Sequence, residues 1–230
     1  MSIKHPSGID QRIVDKVVAR RGRLHAYETI VPTKTALVVV DLDIGTAKRM
    51  LEDTTMSIIF TPINRLAASL RATGGVVAWV TTPIKRASEN FRAIFGEALT
   101  AMYENEGQRN GDASKVWHEL DTNAGDIFIT KLGPSAFFPL NCSLHEQLQI
   151  QGVDTVLIVG AVTNVCCGSS ARDAAALGYK VVMVSDALVG QSFGMHEAEL
   201  ATIFRNFGDV RPSEEVVTLL NKNPGSSLTY

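Results

Sequence analysis

The chain has 230 residues, 45% of them hydrophobic, enough for one sizeable α/β domain around a single core. A formal charge of −2 leaves no electrostatic footprint for nucleic acid or an anionic membrane, and no apolar run is long enough to span a bilayer. The three cysteines, Cys142 and the adjacent Cys166 and Cys167, are too few and too badly spaced for a disulfide framework; with an N-terminus that lacks an apolar signal core, this reads as a reduced, cytoplasmic protein.

Residues 1–30 read as an N-terminal arm ahead of a single domain over 31–230. Within the arm, Ile9, Ile13, Val14, Val17 and Val18 form one apolar stripe, which predicts a helix that packs on the domain or on a neighbouring subunit. "TALVVVDL" (35–42) is a β-branched run bounded by Pro32 and polar residues, and reads as the first strand. "SIIFTPINRLAASLRATGG" contains a helix that stops at Gly74-Gly75, and "VVAWVTT" (76–82) is a second buried strand. The stretch from Glu89 to Asp126 is less regular, with helical segments and a Gly/Asn-rich connector. "DIFITK" (126–131) is a third strand, "CSLHEQLQIQG" a helix with a glycine stop, and "VDTVLIVGA" a fourth strand. A helix over 164–177, the strand "YKVVMVSDA", the helix "HEAELATIFRNFG" and the segment "EEVVTLLNK" complete the chain. Short buried strands alternating with helices imply parallel pairing through right-handed crossovers. The expected fold is α/β, a doubly wound (Rossmann-like), mostly parallel sheet with helices on both faces.

Ligands of such sheets bind beyond the carboxyl ends of the strands. The first strand ends in Asp41, the third in Lys131, and the fourth runs into the loop that carries Cys166. Each alone has an ordinary explanation: a turn aspartate, a surface lysine, an inert buried thiol. Together they place an acid, an ammonium and a thiol at one end of the sheet. A thiol attacks a carbonyl as thiolate, and a helix N-terminus and a nearby lysine would lower the pKa of Cys166. Asp41 would accept the thiol proton and return it to a leaving amine or ammonia, and Lys131 would hold the carboxylate and support the thiolate. Backbone N–H groups around Cys166 would form an oxyanion hole. One position along, Cys167 turns by about 100° toward packing, and Cys142 reads as structural.

"VVVD" ending the first strand, "TK" ending a middle one, and "GAVTNVCCGSSARDAAALGYKVVMVSDA" together resemble the isochorismatase-like cysteine hydrolases from about Thr35 to Val217. The resemblance implies an Asp–Lys–Cys triad at Asp41, Lys131 and Cys166. It further implies a non-proline cis peptide at Ala161–Val162, with the N–H groups of Val162 and Cys166 lining the oxyanion hole. A metal site of the nicotinamidase type is argued against because no histidine lies between His25 and His118, and none of His118, His145 and His196 has a second histidine four residues on. No metal or cofactor is expected. The metal-free branches include ureidoacrylate, N-carbamoylsarcosine, biuret and maleamate amidohydrolases, and the look of the chain is nearest the ureidoacrylate members. The expected activity is metal-independent hydrolysis of a small-molecule amide or ureide through a thioester, by a homo-oligomer (dimer or tetramer). The alternatives are hydrolysis of a vinyl ether with Asp41 as acid, and a non-catalytic scaffold.

One departure stands out. Members of this family usually carry Gln or Asn two positions after the first-strand aspartate, followed by an aromatic residue; "DLDIGTAKRM" has Asp43 there and no aromatic. Asp43 either binds a cationic or N–H group of the substrate or is a solvated loop residue. Trp79, Phe137 and Gln191 are further candidates for the substrate wall, with Phe138 and Thr82 beside them. The loops at 44–54 and 86–111 would complete the pocket. Arg172 and Asp173 read as a structural pair, and His196 as a packing histidine.

Overall fold

A computed structural model describes residues 6–43, 45–46, 57–83, 87–109 and 115–222. Six strands form one parallel sheet: β1 (Thr35–Val40), β2 (Val76–Thr81), β3 (Ile127–Thr130), β4 (Thr155–Ala161), β5 (Lys180–Val189) and β6 (Asp209–Arg211), in the order β3-β2-β1-β4-β5-β6. The central strands read as unbroken apolar runs because both faces are covered. Along β1, Ala36, Val38 and Val40 face one core, and Leu37 and Val39 face the other.

The first core is covered by α1 (Gln11–Arg21), α4 (Leu144–Ile150), α5 (Gly168–Ala176) and α6 (Phe193–Asn206) through residues such as Val14, Leu148, Ala171 and Phe204. The second is covered by α2 (Phe60–Ala72) and α7 (Ser213–Lys222) through Leu66, Leu70, Val216 and Leu220. A further helix, α3 (Glu89–Arg109), is broken at Gly96, whose φ is +74°. The stripe on α1 is buried against its own chain: Val14 and Val17 are buried, and Arg20 and Arg21 donate to the carbonyls of Arg205 and Phe204 at the end of α6.

β6 is missing from the sequence-based reading. It is three residues long, and its one apolar residue, Val210, stands between Asp209 and Arg211, too little to mark a strand. Its charges are buried against the segment that precedes β1: His25 Nδ1 lies 3.0 Å from Asp209, and Arg211 donates to the carbonyl of Tyr27 at 2.7 Å.

The strand order reverses between β1 and β4. The helix after β1, α2, lies on one face and the helix after β4, α5, on the other, the arrangement that opens a crevice at the strands' carboxyl ends. Gly160 sets how closely the two strands approach there. Its φ is +109°, and a Cβ at that position would fall on the carbonyl of Val40.

Candidate active site

Asp41, Lys131 and Cys166 meet at this crevice. The N–H of Asp41 donates to the carbonyl of Val80 at 2.8 Å, and that of Lys131 to the carbonyl of Thr81 at 2.9 Å. Both residues are thus fastened to the end of β2, which lies between their own strands. Asp41 has a φ of +53°, a left-handed conformation that costs a non-glycine residue about 1–2 kcal/mol and turns its side chain off the line of β1. Lys131 is 1% exposed, and its Nζ lies 2.8 Å from Asp41 Oδ2 and 3.0 Å from the carbonyl oxygen of Gly133. Cys166 lies close enough to both that the charges of Asp41 and Lys131 act on its thiol. The ammonium is held between a carboxylate and a carbonyl and faces the sulfur.

The expected helix over 164–177 is two structures. A π-helical turn, Thr163–Cys167, carries the thiol, and α5 begins only at Gly168. The Ala161–Val162 peptide ahead of it is cis, as the family resemblance implied. Three contacts hold the turn. Ser170 Oγ donates to the carbonyl of Cys166 at 2.7 Å and accepts from the N–H of Ala136 at 2.9 Å, tying the turn to the segment after Lys131. Thr163 Oγ1 lies 2.9 Å from Nδ1 of His196, whose imidazole is held below its usual pKa by burial. Cys167 is fully buried with Sγ toward the carbonyl of Val159, a packing position.

The electrostatics differ from the sequence-based expectation. Burial, and then the charge of Asp41, push the Cys166 thiol up to about 12, and Lys131 offsets this only in part. The reason lies in the partners of the lysine. Burial works against the ammonium, but the charges of Asp41 and Cys166 and the close pairing with Asp41 outweigh it, so its pKa is raised. With Asp41 ionised, the ammonium and carboxylate nearly cancel as seen from the sulfur, and desolvation decides. The resting site is an ion pair beside a protonated thiol.

The proposed wall residues separate. Trp79 is 1% exposed; it sits in the core beneath α2, and its Nε1–H donates to Asp126 at 2.7 Å, so it is not at the pocket wall. Phe137 is fully buried in the opposite core with its ring 5.4 Å from that of Tyr179, and it is likewise packing. Asp43 is 3% exposed, which removes the solvated reading; its Oδ1 accepts the N–H of Thr46 at 2.8 Å. Gln191 accepts a long bond (3.4 Å) from Asn164, two residues before the nucleophile position. With His196, Leu188, Ile58 and Arg65 it lines a cleft of about 790 Å³ whose lining includes none of Asp41, Lys131 and Cys166. Phe138 is exposed. Most of the loop at 44–54 and the segments 84–86 and 110–114 lie outside the described residues. Arg172 pairs with Glu199 of α6 at 2.5 Å and lies over the ring of Phe207, so its partner is not Asp173.

Thr82 has a larger part than a wall residue. Its hydroxyl donates to Asp41 Oδ1 at 2.6 Å. The sequence signal for this was its position: a hydroxyl just past the end of β2, beside the strand that ends in Asp41.

A family model described as the isochorismatase domain matches residues 35–215. The chain belongs to the isochorismatase family. It is 29% identical over 182 residues to the uncharacterized isochorismatase family protein YwoC of Bacillus subtilis, covering 79% of this chain and 92% of that one. It is 30% identical over 210 residues to the ureidoacrylate amidohydrolase RutB of Pseudomonas syringae pv. syringae, covering 81% and 84%. Among solved structures, a cysteine hydrolase from Pseudomonas syringae pv. phaseolicola superposes with a TM-score of 0.71 at 26% identity, covering 87% of this chain and 98% of that one. This isochorismatase-family chain is accordingly a hydrolase of the α/β class, with six parallel strands and helices on both faces.

Proposed function

We propose that the chain is a metal-independent cysteine amidohydrolase that cleaves a C–N bond of a small amide or ureide, with Cys166 as nucleophile, Asp41 as proton carrier and Lys131 as electrostatic support. The observation that carries this reading is the buried Asp41–Lys131 pair beside Cys166, with the charge of each member acting on the thiol. The similarity to a ureidoacrylate amidohydrolase supports the substrate class.

The chemistry follows from the charges. As a substrate carbonyl approaches, the Sγ proton passes to Asp41 and the sulfur electron pair forms the C–S bond. Once Asp41 is neutral, the Lys131 charge is no longer cancelled and stabilises the sulfur. The carbonyl π pair moves onto oxygen, where the N–H groups of Val162 and Cys166 receive it. Collapse of this intermediate breaks the C–N bond while Asp41 returns its proton to the departing nitrogen, leaving a thioester. Water then attacks the thioester, Asp41 takes its proton, and Sγ leaves as thiolate beside Lys131 before regaining the proton. The complete cycle returns Asp41 and Cys166 to their starting states, and the net reaction converts amide plus water into carboxylic acid plus ammonia or amine.

The test is a screen of ureidoacrylate, biuret, N-carbamoyl amino acids, maleamate and nicotinamide with ammonia detection, with mass analysis of the Cys166 peptide from acid-quenched turnover. The expected result is ammonia release from at least one ureide or amide and an acyl adduct on that peptide. Turnover of a vinyl ether by a fully alkylated enzyme would replace this reading with acid catalysis by Asp41.

A further inference from the structure

Thr82 is half-buried just past β2, with its hydroxyl 2.6 Å from Asp41 Oδ1, while Lys131 holds Oδ2 at 2.8 Å. No bond made or broken in the proposed reaction uses that hydroxyl. We infer that Thr82 is a positioning residue that fixes Asp41 as a carboxylate and thereby keeps the resting proton on the sulfur of Cys166. The inference rests on the reading of Asp41 as the proton acceptor.

The charged and titratable groups facing Asp41 come from three elements. Lys131 follows β3, Cys166 and Cys167 stand on the π turn, and Cys142 precedes α4. All three thiols are pushed up by burial and are neutral at neutral pH, so Lys131 is the cation among these groups. The ion pair fixes one carboxylate oxygen, and a single contact would leave the group free to rotate about its Cβ–Cγ bond. The Thr82 bond removes that freedom. It also weights the proton equilibrium. A hydroxyl bonded to a charged acceptor gains more than one bonded to a neutral acid, and the difference shifts an equilibrium by about tenfold. Moving the thiol proton onto Asp41 gives up that difference. The resting site therefore holds a quiet thiol, and the proton moves when a substrate carbonyl and the oxyanion N–H groups repay the transfer.

The test follows iodoacetamide labelling of the Cys166 peptide by mass in the wild type, Thr82→Val, Thr82→Ser and Thr82→Ala, alongside the pH profile of turnover and a thermal melt. Thr82→Val should label about tenfold faster at pH 7 and move the acidic limb of the profile to higher pH. Thr82→Ser, which keeps the hydroxyl, should match the wild type in both. Thr82→Ala carries the same expectation as valine and stands in for it should valine fail to fold. General loosening of the site would slow turnover without restoring wild-type behaviour in the serine variant. Labelling of valine and alanine variants at or below the wild-type rate would overturn the inference, as would a serine variant that behaves like valine. Labelling needs no substrate. Faster labelling without turnover of any amide would therefore sink the amidohydrolase reading and leave the Thr82 assignment standing; ammonia release with unchanged labelling would do the reverse.

Discussion

Replacing Lys131 by methionine keeps the length and apolar body of the side chain and removes only the ammonium. In the native fold that ammonium is 1% exposed, paired with Asp41 and bonded to the carbonyl of Gly133. Its removal leaves Asp41, whose side chain is 9% exposed, as a buried carboxylate without a counter-charge. Breaking one side of such a pair costs about 3–5 kcal/mol. At about 2–4 °C per kcal/mol for a chain of this size, the midpoint of thermal unfolding should fall by roughly 6–20 °C. The double variant Asp41→Asn with Lys131→Met removes both charges and should recover half or more of that loss, because an unpaired buried charge is costlier than a buried amide. Both variants should be inactive, so stability and turnover separate. The assay is a melt of wild type, both single variants and the double variant in one buffer. A Lys131→Met melt within about 2 °C of wild type, or a double variant whose losses simply add, would refute the premise that this pair is buried and coupled.

Three further outcomes follow from the same geometry. The folded chain favours the neutral form of Cys166, with its pKa raised from 9.0 to about 12, so it retains a proton that the unfolded chain releases. The stabilisation is present below pH 9 and lost as pH rises toward 12, and urea titrations should show a shallower alkaline decline for Cys166→Ser than for wild type. Gly160→Ala places a methyl group on the Val40 carbonyl at a φ of +109°, and unfolding by urea should show a loss of roughly 2–6 kcal/mol; an unchanged midpoint would contradict the close approach of β1 and β4. Arg172→Ala leaves Glu199, 8% exposed, without its ion partner on the helix that follows the nucleophile, and should lower the melting midpoint while Arg172→Lys recovers part of it.

The strands were legible because burial on both faces writes them as runs such as "TALVVV" and "TVLIVGA". The meeting of Asp41, Lys131 and Cys166 was legible because a parallel sheet brings all strand ends to one side. The same double-sided burial hid the fate of Trp79 and Phe137. In a strand with no polar face, or a segment just beyond one, nothing in the order of residues tells core from pocket. β6 was hidden because one buried valine, Val210, stands between Asp209 and Arg211, whose contacts lie far along the chain. The thiol pKa was misjudged for a related reason: a lysine in the sequence is a positive charge, but Lys131 in the fold is half of a neutral pair. Asp43 was undecided because its N–H partner at Thr46 depends on the backbone turn between them.

Two adjacent thiols provide the most direct measurement. Cys166 feels the charges of the Asp41–Lys131 pair, and Cys167, one position on, is fully buried against Val159. Turnover of Cys166→Ala and Cys167→Ala on the substrate found by the ammonia screen should differ by nearly the whole activity, with only the Cys167→Ala enzyme still forming an acyl adduct on residue 166. Full activity in Cys166→Ala, or an adduct on Cys167, would contradict the assignment of the nucleophile.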